Sequence, residues 1–368
     1  TVAILNRDVV MHGFQILQKK LKYVDKFKWR QQESIVVDFQ DFAFRLILDV
    51  IVELGFGVKL DGVTTDQNVP FVDALNELQE LIHLRFNDMF WEIKQQFGIG
   101  KREQRIWQLT KVLNAFADRI IQATKDREEA GDDPQTKASE TDIVHRYIKY
   151  CRAQNEPIPT NKEMRDLVLG FAFAGRDTTT AGLSWTLYEV TKHKSVQARL
   201  LQELRQVVGN NKDISWDMLM HQLPYLHAVV MESLRLHAPA PESFRFAKAD
   251  DVLPDGTKIP AGALIQFSSI AINRSTEIWG KDGADEFMPD RFFQEKEPSP
   301  YRFPTFGAGP RACPGKNLAM MEIKLIVAYL VLHYELEDAS NHDGDYHWTI
   351  AMSMKNGFPV RLQKRKQV

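Results

Sequence analysis

The chain has 368 residues, 44% of them hydrophobic, and a formal net charge of −2. That length supports a large core, and the near-neutral charge excludes the basic excess that nucleic-acid binding needs. Cys151 and Cys313 are the two cysteines, which excludes a disulfide framework and makes a reducing compartment the default.

No run of about 18 apolar residues occurs, so no membrane-spanning segment is expected. The chain opens Thr1-Val2-Ala3 without an initiator Met or a signal peptide, and reads like the middle of a protein.

Residues 6–28 place Val9, Val10, Phe14, Leu17 and Leu21 on one helical face. Val36 to Phe56 repeats the spacing with Phe39, Phe42, Leu46, Val50 and Leu54, and Gly55 and Gly57 end it. Lys59 to Asn68 reads as a loop, and Pro70 opens a third helix reaching about Arg85. Met89 to Gly100 reads as irregular and aromatic, and Lys101 to Glu129 as a long fourth helix. A solvated loop is expected at 130–142, then a short helix from Asp142 to Ala153 in which Cys151 is structural.

Thr160-Asn161-Lys162-Glu163 is a capping box. No Pro follows before Lys192, which predicts a central helix of about 30 residues, roughly 45 Å long. Its middle, Phe171 to Gly182, is rich in Ala, Gly and Thr, which lower or dilute the helical pattern. Two readings stay open there. The small residues either make a close helix–helix contact, or leave room for a planar cofactor with an acid and a hydroxyl beside it.

Helices are next expected at Ser195–Val208 and Pro224–His237. The second carries Glu232 and Arg235 on one face, and the flanking Val229, Val230 and Leu234 predict a buried, fully paired charge cluster. Short strands are expected at Thr257–Ile259 and Leu264–Phe267. A last helix runs from Pro314 to about His333. A terminal hairpin then joins Trp348–Met354 to Phe358–Leu362 through Asn356-Gly357, and Lys364-Arg365-Lys366 forms a solvated tail. The chain reads as mainly α with a small β region.

Before the last helix lies Phe306-Gly307-Ala308-Gly309-Pro310-Arg311-Ala312-Cys313-Pro314-Gly315. Pro314 suits a first helical position, which puts Cys313 at the N-cap, where the helix dipole favours a thiolate. Gly309 and Gly315 allow close approach of something flat. Phe306 offers a ring to it and Arg311 a cation. An isolated cysteine is more often a small buried hydrophobe; five fixed residue types at fixed spacing favour a ligand for a soft or redox metal.

This Phe-x-x-Gly-x-Arg-x-Cys-x-Gly pattern resembles the haem-ligand signature of the cytochrome P450 superfamily. Ala174-Gly175-Arg176-Asp177-Thr178-Thr179 is similar to its oxygen-activation motif. Glu232-x-x-Arg235 resembles its helix pair, with Arg291 of Pro289-Asp290-Arg291-Phe292 as third member. Ala174 to Val190, Asp250 to Thr257, and Met354-Lys355-Asn356-Gly357 look like the clan of fatty-acid and alkane ω-hydroxylases.

The resemblance implies a cytochrome P450 fold over a single domain, 1–368. Family members are longer by roughly a quarter, so the chain is expected to lack an N-terminal part including the membrane anchor. It also implies a haem b whose axial ligand is Cys313, with Phe306, Gly309, Arg311, Gly315, Ala174, Gly175 and Arg245 around it. Arg311 and Arg245 would pair with its propionates. Asp177 and Thr178 would relay protons to bound oxygen, and Glu232, Arg235 and Arg291 would fix the cysteine loop. Phe171, Ala351 and Met352 would contact a lipophilic substrate.

Electrons would come from NADPH through a flavoprotein reductase docking near Lys316 and Lys324. The full-length form would sit on the cytosolic face of the endoplasmic reticulum membrane. The implied activity is O2-dependent hydroxylation of a fatty acid or alkane. The alternative is a truncated remnant that does not retain haem.

Overall fold

The computed structural model describes residues 5–64, 70–129, 143–209, 213–281, 283–294, 297–340 and 342–365. The loop expected at 130–142 and the tail end, 366–368, lie outside them. The first part contains α1 (Arg7–Val24), β1 (Ser34–Asp38), α2 (Phe39–Phe56), α3 (Pro70–His83), α4 (Trp91–Phe97), α5 (Lys101–Glu129) and α6 (Ile143–Ala153). Next come α7 (Asn161–Lys192), α8 (Lys194–Val208), α9 (Pro224–Leu236), β2 (Glu242–Phe246), β3 (Asp251–Val252), β4 (Lys258–Ile259) and β5 (Leu264–Ser268). The last part holds α10 (Ser269–Asn273), α11 (Thr276–Trp279), α12 (Asp290–Gln294), α13 (Lys316–His333), β6 (Tyr334–Asp338), β7 (Tyr346–Trp348), β8 (Met352–Met354) and β9 (Pro359–Lys364). The fold is mainly α with small antiparallel sheets.

α7 organises the rest. Thr160 Oγ1 accepts from the Glu163 N–H at 3.3 Å, and the Glu163 carboxylate accepts from the Thr160 N–H at 2.8 Å, so two donors of the first turn are satisfied. The helix then runs 32 residues and packs against α2, α5, α9 and α13. Thr179 to Leu187 are buried on every side, which marks the centre of the molecule. Thr160→Ala should lower stability by about 1 kcal/mol, read as a shift of the urea midpoint at constant slope. An unshifted midpoint would show that the cap does not contribute.

Four local expectations are corrected. Val36 to Phe56 is not one helix: 34–38 form β1, and Asp38 caps α2 by accepting from the Gln40 and Asp41 N–H groups. Met89 to Gly100 contains α4, a seven-residue helix with no buried residue, stopped by Gly98 in the left-handed region. The terminal hairpin instead joins β7 to β8, with Trp348 opposite Met352. Asn356 and Gly357 do turn with positive φ, but β9 leaves β8 and becomes the centre of the sheet β1-β9-β6. Arg365 is no solvated tail residue, because its Nε donates to the carbonyls of Val331 and Tyr334 at the end of α13.

Candidate active site: the cavity around Cys313

The charge cluster expected on α9 is present and buried. Arg235 and Glu232 are both inaccessible, and their side chains pair at 2.7 and 2.8 Å. The remaining donors of Arg235 reach the carbonyls of Asn273, Ala284 and Glu286. Arg291 Nε stands 3.5 Å from Glu232, and its other nitrogens hold the carbonyls of Trp279 and Gly283. The cluster pins the connections around α10 to α12.

The link to the cysteine loop runs through residues the motifs do not mark. Asn273 Nδ2 donates to Thr305 Oγ1 at 2.8 Å, and Thr305 Oγ1 donates to the Leu234 carbonyl at 3.1 Å. Thr305 immediately precedes Phe306. Only its place beside the motif hints at this role.

Within the loop, the Cys313 N–H donates to the Phe306 carbonyl at 2.7 Å. Gly309 has φ +66, a value glycine adopts without strain. The helix starts later than expected: Gly315, not Cys313, precedes the first residue of α13, Lys316. The sulfur still receives the Gly315 and Lys316 N–H groups. Burial outweighs them and pushes the thiol up, correcting the expectation that the helix start alone favours thiolate.

Phe306, Arg311, Cys313 and Gly315 line a cavity of about 680 Å³, together with Arg245 from β2. Gly309 does not line it and serves the turn. From α7 come Phe171, Ala174, Gly175, Thr178 and Thr179. A Cβ on Gly175 would lie 2.6 Å from Ile51 Cδ1 on α2, so the small residues both open the cavity and permit a close helix contact. The Thr178 hydroxyl donates to the Ala174 carbonyl at 2.7 Å.

The structure does not bring Asp177, Ala351 or Met352 into this lining. Asp177 is 6% exposed and accepts from Arg176 Nε and from Gln79 on α3. Its carboxyl is raised by burial, with Arg176 opposing the shift. Met352 is fully buried, its N–H donates to the Pro239 carbonyl at 2.9 Å, and Trp185 Nε1 donates to its own carbonyl. The β7–β8 turn therefore backs Pro239, which does line the cavity. Lys324 is buried, which lowers it to about 8, so of the two lysines only Lys316 offers an accessible charge at the surface.

A haem fits these residues. Among the described residues no group of three or more His, Cys, Asp or Glu side chains is arranged to hold a metal. A single thiolate beside an open cavity suits a metal whose other ligands come from a macrocycle. The thiol opens onto the cavity, and coordination to a metal cation would deprotonate it outright. Arg245 and Arg311, both exposed, are cations at the same cavity for acidic substituents.

The sequence profile described as Cytochrome P450 matches residues 15–357. Cytochrome P450 704B1 of Arabidopsis thaliana is 30% identical over 89% of this chain and 69% of its own length. Cytochrome P450 94A2 of Vicia sativa is 30% identical over 89% of the chain and 64% of the relative. Cytochrome P450 CYP94D108 of Paris polyphylla is 31% identical over 89% and 66%. The chain thus spans about two thirds of the length of these relatives. Among the described residues no helix is long and apolar enough to cross a membrane. With the cysteine loop and the small-residue helix at one cavity, the buried Glu232–Arg235 cluster linked to that loop through Asn273 and Thr305, and the family profile running through all of them, the chain belongs to the cytochrome P450 family.

Proposed function

We propose that this chain carries the catalytic core of a haem-thiolate monooxygenase that inserts one atom of O2 into a lipophilic substrate, a fatty acid or an alkane hydroxylated at its ω end. The observation that carries this reading is that Cys313, two arginines and Thr178 line one cavity whose walls are otherwise mainly apolar. The substrate class rests on those walls and on the ω-hydroxylase phrases of the sequence.

Haem, when bound, supplies the iron at which dioxygen is activated, with the thiolate pushing electron density towards it. Cys313 holds the iron. Arg245 and Arg311 orient the ring through its acidic groups. Phe171, Ala174 and Gly175 shape the apolar wall against which an alkyl chain lies. Thr178 presents a hydroxyl to the cavity, and Asp177, one residue away, joins the proton relay only if it leaves Arg176 and Gln79. Electrons come from NADPH through a flavoprotein reductase, for whose docking Lys316 is a contact. For a full-length form, the site of action is the cytosolic face of the endoplasmic reticulum membrane.

The test is spectroscopic. The chain expressed with haem, reduced and exposed to carbon monoxide should show the red-shifted Soret band of thiolate ligation. A folded chain that takes up no haem would overturn the reading. Long-chain fatty acids should then give ω-hydroxylated product with reductase and NADPH, and product from unrelated lipophiles alone would overturn the substrate class.

A further inference from the structure

We propose that His237 is a positioning residue: clamped between Glu189 and Tyr346, it fixes residues 238–240 as a cavity wall and so decides which carbon of an alkyl chain is presented for hydroxylation. The second half of this inference rests on the monooxygenase reading. His237 directly follows α9 and is 6% exposed. Pro239 and Ala240, two and three residues on, line the cavity. The Nε2 of His237 stands 2.6 Å from a Glu189 oxygen on α7, and its Nδ1 2.8 Å from the Tyr346 hydroxyl on β7. Trp185, one turn before Glu189, stacks on the ring with centroids 4.4 Å apart and planes 3° from parallel. None of these four side chains lines the cavity.

Chemistry fixes the protons along this chain of contacts. Burial raises Glu189, but hydrogen bonds from His193 and His237 outweigh it and hold the carboxyl at about 2. An ionised carboxylate only accepts, so the Nε2 of His237 carries a proton. Burial pushes His237 below the ordinary histidine value, with Arg274 and Arg235 adding to the shift and Glu189 opposing it. The ring is therefore neutral at neutral pH, Nδ1 is an acceptor, and the Tyr346 O–H donates to it. The Tyr346 oxygen in turn accepts from Arg274 Nη2 at 3.2 Å, and Arg274 also donates to the Leu236 carbonyl at the end of α9. Every donor points one way, from Arg274 through Tyr346 and His237 to Glu189.

The cluster reaches the cavity through the backbone. Trp185 Nε1 donates to the Met352 carbonyl, and the Met352 N–H to the Pro239 carbonyl, both at 2.9 Å. Tyr346 stands opposite Met354 in the same hairpin. Pro239 has no N–H of its own to anchor it. The wall therefore depends on the His237 side chain before it and on the hairpin behind it.

In the full chain with isotope-labelled histidine, haem-free or as the diamagnetic carbon-monoxide form, nuclear magnetic resonance near neutral pH should show His237 neutral with its proton on Nε2. The signal is assigned through contact with the Trp185 ring, so wild type decides even if variants fail to fold. A ring protonated on Nδ1, or on both nitrogens, overturns the proposal. Tyr346→Phe should speed exchange of the Met352 amide by about fivefold, the factor one ordinary hydrogen bond contributes. Equal exchange in variant and wild type overturns the clamp. With the thiolate band intact, the same variant should lower the ratio of ω to in-chain products from a long-chain fatty acid by about fivefold, on the same argument. Tyr188→Phe should leave the ratio unchanged, because that ring stands edge-on to His237 while both ring nitrogens are taken by Glu189 and Tyr346. An unchanged ratio in Tyr346→Phe, or an equal fall in Tyr188→Phe, overturns the positioning role. A wild type that binds haem but forms no hydroxylated product strikes the monooxygenase reading instead, and the histidine spectrum and amide exchange still decide the clamp.

Discussion

Arg235→Ala should destabilise the fold by about 3–5 kcal/mol, the range for removing one partner of a buried ion pair. The reason is visible in what Arg235 leaves behind. Glu232 is inaccessible and would keep only the Met288 N–H at 2.9 Å and the more distant Arg291. The carbonyls of Asn273, Ala284 and Glu286 would lose Arg235 as a donor. Against a typical domain stability of roughly 5–15 kcal/mol this is a large fraction. Urea unfolding followed by circular dichroism measures it. Since Asn273 carries the hydrogen bond to Thr305, haem uptake should fall in parallel. A loss below about 1 kcal/mol, within the ordinary effect of a point substitution, with uptake unchanged would refute both the burial argument and the connection to the cysteine loop.

Cys313→Ser should remove the red-shifted thiolate band completely and reduce hydroxylation to background, while leaving the haem-free fold nearly as stable as before. One sulfur becomes one oxygen at a position open to the cavity. The loop bond from its backbone N–H to Phe306 remains, and the serine oxygen can accept from Gly315 and Lys316 as the sulfur does. A stability change within about ±0.5 kcal/mol is expected, as for substitutions outside the core. A retained thiolate band in this variant would remove Cys313 from the metal. Together with Arg235→Ala it separates two kinds of loss, one of the ligand and one of the frame that presents it.

Long helical periods made α1, α5, α7 and α9 readable within a few residues, because each buries one face or is bounded by a capping box, Gly or Pro. The strands were harder. β1 and β9 pair across more than 300 residues, Val36 opposite Arg361, and β1 has no fully buried position. Nothing local in Ser34 to Asp38 announces such a partner. The Asn356-Gly357 turn was correctly placed but wrongly connected, since a turn dipeptide specifies the bend and not the neighbour that competes for the outgoing strand.

The same division holds at the site. Residue types at fixed spacing, through their resemblance to the family's motifs, singled out the cysteine loop, the Glu232–Arg235 pair and the small-residue stretch of α7, although the residues of that last stretch by themselves left two uses open. Which side chains meet in the cavity was decided only by packing. A residue step of about 100° along α7 separates Thr178, which lines the cavity, from Asp177, which does not. Glu322, which also lines the cavity, gave no signal at all, as α13 is apolar and buried from Met320 to Val331 and so presents no distinguishable face. Its environment exists only where α13 closes against α7 and the loop that carries Cys313.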